Sequence, residues 1–381
     1  MGDKSVVLPK RTVLVLQGGG ALGAFQAGVF EAMNLSGLHP DWVIGTSIGS
    51  INAALIAGNW PERRMERLYE FWARVGQGCG ISPEFAGDAP AAFIRQVSQL
   101  LTMTAGLPNF FTPHWGHGFH LGGTVTPEKA SFYDVSPLRK TLEELVDFDY
   151  LNDSPTRISV GAVDVEEGQI RYFDSRHERI GVEHILASSA LPPAFPAVEI
   201  GGRHYWDGGI HSNTPLEWML RDSPRQHSLC IMATLWPIED VIPTTLPDVL
   251  RRSKELHYAS RSRTLIQLEQ ELHTLRHTVS LLGARLPPEQ RAEADIAQAI
   301  DLGCRSVYHL IRLQAPRLAR ENHVKDIDFS VASIGQRWAA GQRHTLHALA
   351  AKPWETPVGP EQGVLVHDFS RLAAQSEALP A

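Results

Sequence analysis

The first seventy residues alternate short apolar runs with longer stretches of helical composition. Residues 12–16 form an uninterrupted run of Thr, Val and Leu, which is typical of a parallel strand buried on both faces. A glycine-rich turn, a helical stretch over 21–33 and a second short apolar run over 42–44 follow. A further helix is predicted over 61–74, with Pro61 in its first turn. Strand, helix and strand in this order predict a βαβ unit.

Later patterns extend the same sheet. Residues 157–165 and 168–173 predict a strand hairpin, and residues 228–235 predict a further apolar strand. Residues 76–132 are rich in Gly, Pro and aromatic residues, which favours loops and a lid. We therefore expect an α/β fold: a three-layer α/β/α domain with a mostly parallel sheet over residues 1–240, carrying a loop- or lid-like insertion over 76–132.

The pattern changes to long helical repeats after Pro243. It predicts a helical C-terminal region over 241–360 and a loose tail over 361–381. Apolar residues recur there in alternating steps of three and four, at Leu265, Leu268, Leu272, Leu275, Val279 and Leu282. Such a seam either packs against the α/β domain or joins two copies of the chain. A homodimer through helix 265–282 is therefore one of two interpretations.

Composition narrows the class of protein. The 381 residues are 43% hydrophobic and 20% charged, as in ordinary globular proteins. Three cysteines are too few for a disulfide framework. The start of the chain carries no apolar run ending in a small-residue cleavage site, and no run approaches the roughly 18 apolar residues of a membrane span. We expect a cytoplasmic protein without a secretion signal.

Charge is distributed unevenly. The total is −7, but residues 251–350 hold 15 Lys and Arg against 10 Asp and Glu. Five basic residues begin this region, at Arg251, Arg252, Lys254, Arg261 and Arg263. They predict a solvated helix face, with peripheral attraction to an anionic membrane as the alternative. The acidic total and the lack of a binding motif disfavour nucleic acid.

The segment Gly45-Thr46-Ser47-Ile48-Gly49 has the form of a nucleophile elbow. It follows a predicted strand and precedes a predicted helix, which is the context that such a turn requires. Glycines flank the serine because the turn is too sharp for larger side chains. The serine hydroxyl would stand at the positive end of the helix.

A second turn, Gly18-Gly19-Gly20, follows the neighbouring strand. Successive glycines expose backbone N–H groups to an oxyanion, so these residues predict an oxyanion hole beside Ser47. The spacing with Gly23 also matches a dinucleotide fingerprint. Against that alternative, the second strand runs straight into the elbow instead of ending in an acidic residue.

The third candidate is Asp207-Gly208-Gly209. Alone, an Asp-Gly pair usually indicates a β-turn. Its significance comes from the presence of the other two segments in the same chain. An aspartate held by two flexible glycines can approach a serine closely.

Together these segments resemble the bacterial patatin-like phospholipases. The matching pieces are GGGALGAFQAGV (18–29), GTSIGSINA (45–53), ASSALPPAFPAVEI (187–200) and DGGIHSNTPL (207–216). The resemblance implies a Ser–Asp dyad at Ser47 and Asp207, with the oxyanion hole at Gly18, Gly19 and Gly20. The C-terminal region, including residues 325–330, is similar to the helical extension of one bacterial branch of the family.

Two positions depart from the family pattern. Leu22 stands where many members carry a basic residue, so any role of that charge is absent. Ile48 replaces a common alanine after the nucleophile, which predicts a narrower site that disfavours large head groups.

The expected reaction is hydrolysis of carboxylic esters in lipids, of phospholipase A, lysophospholipase or carboxylesterase type. Asp207 would take the Ser47 proton, and an acyl-enzyme would form and be hydrolysed, without cofactor or metal. Three alternatives stay open: an acyltransferase using the same acyl-enzyme, a dinucleotide-binding oxidoreductase, and an inactive binding protein.

Histidines and aromatic residues complete the candidates. His211 could serve an α/β-hydrolase triad, although such an elbow normally follows several strands. His114, His117 and His120 could form a metal cluster. Aromatic residues of the insertion either line an acyl-chain channel or form ordinary core: Phe110, Phe111, Trp115, Phe119, Phe132 and Tyr133.

Overall fold

The computed structural model describes residues 5–77, 91–114, 124–318 and 321–370. Several residues singled out above lie outside these ranges: Trp115, His117, Phe119, His120 and most of the predicted tail.

Eleven strands are present in the described ranges. They are β1 (Arg11–Leu16), β2 (Trp42–Gly45), β3 (Thr112–Pro113), β4 (Tyr133–Asp134), β5 (Arg157–Asp164), β6 (Ile170–Asp174), β7 (Val198–Ile200), β8 (Arg203–Asp207), β9 (Ser228–Thr234), β10 (Tyr308–Gln314) and β11 (Val364–Asp368).

The helices of the same ranges are α1 (Ala24–Leu35), α2 (Ile48–Ala57), α3 (Arg64–Gln77), α4 (Ala91–Ala105), α5 (Ser136–Leu145), α6 (Phe148–Asp153), α7 (Val182–Ser188), α8 (Leu216–Leu220), α9 (Leu246–Arg285), α10 (Pro288–Arg291), α11 (Ala294–Asp301) and α12 (Val331–Ala350).

The central sheet confirms the predicted α/β class. Its order is β11-β10-β9-β1-β2-β5-β8-β7, with β6 also paired to β5. The six strands from β11 to β5 are parallel to one another, whereas β6, β7 and β8 are antiparallel to their neighbours. The hairpin predicted over 157–173 is present as β5 and β6. Parallel strands require crossovers, so helices cover both faces of the sheet.

Strand β1 shows why three layers form. Its side chains alternate between two cores: Leu14 and Leu16 belong to one, whereas Val13 and Val15 belong to the other. The first core contains α1, α2 and α12, and the second contains side chains of α8 and α9. The apolar run of β1, residues 13–16, is buried on both faces because each face has its own helical layer.

The insertion over 76–132 differs from the expectation of loops alone. Residues 91–105 form helix α4, and β3 pairs with β4 beside it. Sequence reasoning gave weight to the glycines and prolines of the region and missed the apolar spacing of this helix.

The region after 240 also contains more than helices. Strands β10 and β11 continue the sheet in parallel beyond β9, and β11 falls within the predicted tail. The helical region is present, but it is joined to the catalytic sheet by backbone hydrogen bonds.

Most of the leucine seam does not pack against the α/β domain. Its residues Leu268, Leu272, Leu275 and Leu282 are exposed, whereas Ile266 is buried. Glu269, His273 and His277 share the buried face of α9. Leu265 is partly buried against the second core. The packing interpretation is therefore wrong for most of the seam, and a homodimer through helix 265–282 stays a prediction.

Part of the basic cluster is not a solvated face. Arg251 is 1% exposed, and its guanidinium lies 2.8 Å from Glu255 and 2.6 Å from Asp240. Lys254 pairs with Asp326 at 2.6 Å. Arg251 and Lys254 are paired within the protein because α9 packs them against acidic side chains, whereas Arg263 is half-exposed beside Glu239. Peripheral attraction to an anionic membrane therefore stays a prediction.

Candidate active site

The predicted elbow is a sharp turn between β2 and α2. Ser47 has φ 56° and ψ −128°, a backbone conformation that is costly for any residue other than glycine and that recurs at functional sites. A Cβ on Gly45 would lie 2.2 Å from the Gly49 carbonyl oxygen, and a Cβ on Gly49 would lie 2.3 Å from that of Leu16. The two glycines are required because the turn brings backbone against backbone.

The glycine loop lies beside the nucleophile. A Cβ on Gly18 would lie 3.0 Å from the Ser47 Cβ. The Gly18 N–H donates to the Asn213 carbonyl at 3.2 Å, so it is not available to an oxyanion. In the described part of the chain, the N–H groups of Gly19 and Gly20 donate to no other group. Two of the three predicted glycines therefore have free donors.

Gly20 has a further requirement. Its φ is +55°, and a Cβ there would lie 2.2 Å from the carbonyl oxygen of Asp326. Asp326 belongs to the C-terminal region and packs directly over the loop. Any side chain at position 20 would be strained and would push this region away.

Asp207 ends β8 and is buried, with 1% of its surface exposed. The Gly209 N–H donates to its Oδ1 at 2.7 Å, and Gly208 lies against the carbonyl of Gly161. Burial raises the pKa of Asp207 to about 7, although the nearby Ser47 hydroxyl and the Gly209 N–H act in the opposite direction. A carboxyl with this pKa can accept and return a proton near neutral pH.

An apolar cavity of about 150 Å³ opens over these groups. Ser47, Asp207 and the glycines 18 to 20 form its polar end. Aromatic side chains form much of the remainder, at Phe110, Phe111, Tyr133, Phe195 and Phe329. Ile48 also lines the cavity, as expected from its size, whereas Phe132 is exposed and does not line it.

Sequence reasoning gave no role to several residues of this site. Asn213, Trp236, Tyr258 and Asp326 all line the cavity. Asn213 was visible in the motif over 207–216 but received no role. Asp326 lies in the segment over 325–330 but also received no role. Trp236 follows β9 and Tyr258 lies within α9, and neither carries a motif. Burial and then the charges of Asp207 and Asp326 raise the pKa of Tyr258 to about 12, so this phenol stays neutral.

The histidine alternatives are not part of this geometry. No histidine is among the described residues that line the cavity, and His211 instead lines a neighbouring open cleft. Within the described ranges, the residues whose spacing would suit a metal ion are Glu128, Glu199 and His204, away from the cavity. Of the predicted histidine cluster, His117 and His120 lie outside the described residues.

Comparison with protein-family models gives two matches. Residues 14–220 match the model described as patatin-like phospholipase, and residues 256–361 match one described as patatin phospholipase. The first match covers more than half of the chain and contains both Ser47 and Asp207. No curated protein matches the chain.

Solved structures show more distant similarity. The structure of VipD from Legionella pneumophila has 13% identity and a TM-score of 0.41, covering 90% of this chain and 67% of that chain. The heterodimeric ExoU-SpcU complex from the type III secretion system of Pseudomonas aeruginosa has 15% identity and a TM-score of 0.35, covering 92% and 53%. This chain spans about half of the latter's length, and at these scores neither structure informs the chemistry.

Proposed function

The chain belongs to the patatin-like phospholipase family and is an ester-hydrolysing enzyme, and from this premise we propose that Ser47 and Asp207 hydrolyse lipid carboxylic esters through an acyl-enzyme. The observation that carries the proposal is the pairing of a strained, cavity-facing serine with a buried aspartate whose pKa is raised to about 7. A serine hydroxyl needs such an adjacent base.

The steps follow from the positions of the groups. Asp207 accepts the Ser47 proton while the serine oxygen attacks the ester carbonyl. The N–H groups of Gly19 and Gly20 donate to the oxyanion, and Asp207 returns its proton to the departing alcohol. Water, deprotonated by Asp207, then releases the acid and restores both residues.

The cavity supports an acyl chain as the buried part of the substrate. Its aromatic end has no charged group among the residues that the structure describes, and such a surface binds an alkyl chain by removing it from water. The head group would remain on the open side of Ser47, where Ile48 narrows the passage.

The proposal includes a peripheral contact with lipid. Met103 lines the cavity and is half-exposed, and Leu100 and Leu101 on the same helix are exposed as well. These apolar side chains at the cavity mouth favour contact with an aggregated substrate. None of the described helices is long and apolar enough to cross a bilayer.

A fluorophosphonate tests the nucleophile without a choice of lipid. Intact mass and peptide mapping should show one adduct on Ser47. Labelling should be absent in Ser47→Ala and greatly slowed in Asp207→Asn. A folded protein that is not labelled, or is labelled elsewhere, would contradict the proposal. Product analysis with added alcohols then separates hydrolysis from acyl transfer.

A further inference from the structure

The carbonyl of Gly18 is held by two side chains. The Trp236 indole N–H donates to it at 2.7 Å, and the Asn213 amide donates at 3.1 Å. In a trans peptide the carbonyl of one residue and the N–H of the next point in opposite directions. Fixing the Gly18 carbonyl therefore fixes the direction of the Gly19 N–H, one of the two free donors at the polar end of the cavity.

Trp236 is itself tightly placed. Its backbone N–H donates to Gln17 Oε1 at 3.1 Å, directly before the glycine loop. Its ring stacks on Tyr258 of α9, with centroids 5.0 Å apart. The ammonium groups of Lys254 and Lys325 lie 5.9 and 5.6 Å from the ring centroid, within the range of a cation–π attraction.

Lys254 and Lys325 also position a second segment, around Asp326, against the glycine loop. Lys254 binds the Asp326 carboxylate at 2.6 Å, and Lys325 binds buried Glu255 at 2.7 Å. These ion pairs hold the segment whose Asp326 carbonyl lies over Gly20. Both glycines with free N–H groups are thus contacted, directly or through Trp236, by the region after residue 240.

We infer that Trp236 is a positioning residue, whose indole N–H orients the Gly18–Gly19 peptide for oxyanion binding, and that the C-terminal region serves catalysis by holding Trp236 and Asp326 against the glycine loop. The inference rests on the proposed function, because it assigns a role in the same acyl transfer. Trp236 contacts no reacting atom in this role, so its loss should affect the transition state more than substrate binding.

The decisive variant removes the indole N–H donor and keeps an aromatic side chain. Trp236→Phe should lower kcat for a soluble short-chain ester by about tenfold or more, with KM changed by less than about threefold, since loss of a whole oxyanion donor costs about 10²–10³. Rates are normalised to fluorophosphonate-titrated sites. Replacing Trp236 with β-(3-benzothienyl)alanine keeps the bicyclic ring and puts sulfur in place of the N–H. This variant should show the same loss of kcat, which separates the missing donor from any loss of packing in Trp236→Phe.

Trp218 provides a matched control. It also stacks on a tyrosine, Tyr172, and its indole N–H donates to a buried acceptor, Asp174, at 2.9 Å. Trp218→Phe should change thermal stability but not kcat.

A second readout isolates the oxyanion. A trifluoromethyl ketone forms a tetrahedral adduct with serine, and its affinity should fall in Trp236→Phe in proportion to kcat/KM. Rapid labelling of both wild type and Trp236→Phe with unchanged kcat would overturn the inference and leave the proposed function standing. An equal loss of kcat in Trp218→Phe, or a rise in KM alone, would overturn it too. Unlabelled wild type would overturn both proposals.

Discussion

Two aspartates in this sheet have the same exposure and opposite properties. Asp207 ends β8 at the catalytic edge, whereas Asp174 ends β6 at the other edge, beside the start of β5. Each is 1% exposed. Burial raises the pKa of Asp207 to about 7. Burial also acts to raise the pKa of Asp174, yet hydrogen bonds from Arg157, Ser159 and other donors hold it below its ordinary value.

The difference lies in the partners. Asp174 receives the Arg157 guanidinium at 2.6 Å, the Ser159 hydroxyl at 2.7 Å and the Trp218 indole at 2.9 Å. Asp207 has the Gly209 N–H and the neighbouring serine. Lys, Arg and His are all missing from the cavity lining as far as the chain is described. A buried carboxylate without a cation is poorly solvated and becomes a base, whereas one with a cation becomes a structural anchor.

The largest expected effect is on turnover. Asp207→Asn should lower kcat by about 10²–10⁴-fold, because a general base is lost while the shape is kept. Asp174→Asn should leave kcat per titrated site within about twofold, since it lies far from the reacting atoms. The measurement is steady-state hydrolysis of one soluble ester by both variants. Comparable losses in both would show that Asp207 is also only an anchor.

Stability should change in opposite directions. Asp174→Asn should cost about 3–5 kcal/mol, because the buried Arg157 loses one of its two carboxylate partners and the Ser159 and Trp218 donors lose a charged acceptor. Asp207 has a raised folded-state pKa, so its ionisation destabilises the protein as pH rises from about 4 through about 7. Asp207→Asn should therefore be more stable than wild type by roughly 2–4 kcal/mol at pH 8, and equally stable near pH 4. Urea unfolding at both pH values checks this.

A stabilising effect of Asp207→Asn at pH 4 would contradict the assignment of the gain to ionisation. Glu or Ala at position 207 would change volume as well, so Asn is the informative replacement.

The pH dependence of catalysis tests the same property with a smaller effect. Since the base must be unprotonated, kcat/KM should fall about tenfold per pH unit below a midpoint near 7 and level off above it. Fluorophosphonate labelling rates should follow the same curve. A plateau that extends down to pH 5 would mean that Asp207 ionises like an exposed carboxyl.

Sequence reasoning identified the fold class and predicted the dyad, because both depend on local signals. The apolar run at β1, the turn around Ser47 and the glycines after Asp207 each require particular residues within a few positions. The family match supports the same segments. These signals carry no information on tertiary contacts. Asp207 and Asp174 both end strands, and only the folded sheet decides which of them lies beside an arginine.

The contacts that come from distant parts of the chain could not be predicted. Trp236 reaches Gly18 across 218 positions, and Asp326 reaches Gly20 after the chain has formed α9 and β10. The prediction that the leucine seam of α9 packs against the α/β domain was wrong for most of its residues, for a related reason. Period alone shows which residues share a helix face, but not which face packs, and here the buried face carries Glu269, His273 and His277 instead.

The smallest expected effect concerns two aromatic side chains of the cavity, Phe110 and Phe111, which we expect to exclude water from Asp207. Phe110 and Phe111 are buried in the cavity and contact each other edge to face, with centroids 5.8 Å apart. Replacing both with Ala should weaken hydrolysis of a dodecanoyl ester about tenfold relative to a butanoyl ester, since each methylene that loses burial forfeits about 0.8 kcal/mol.

The exposed Phe132 is the control, because Phe132→Ala removes an aromatic ring from the same insertion without opening the cavity. Water admitted by the double variant should also solvate the Asp207 carboxylate, so the midpoint of its pH–rate curve should move below 7. Equal losses on long and short esters would show that the two rings are core residues. An unchanged midpoint would show that the protein backbone around β8, and not the two aromatic side chains, excludes water from the base.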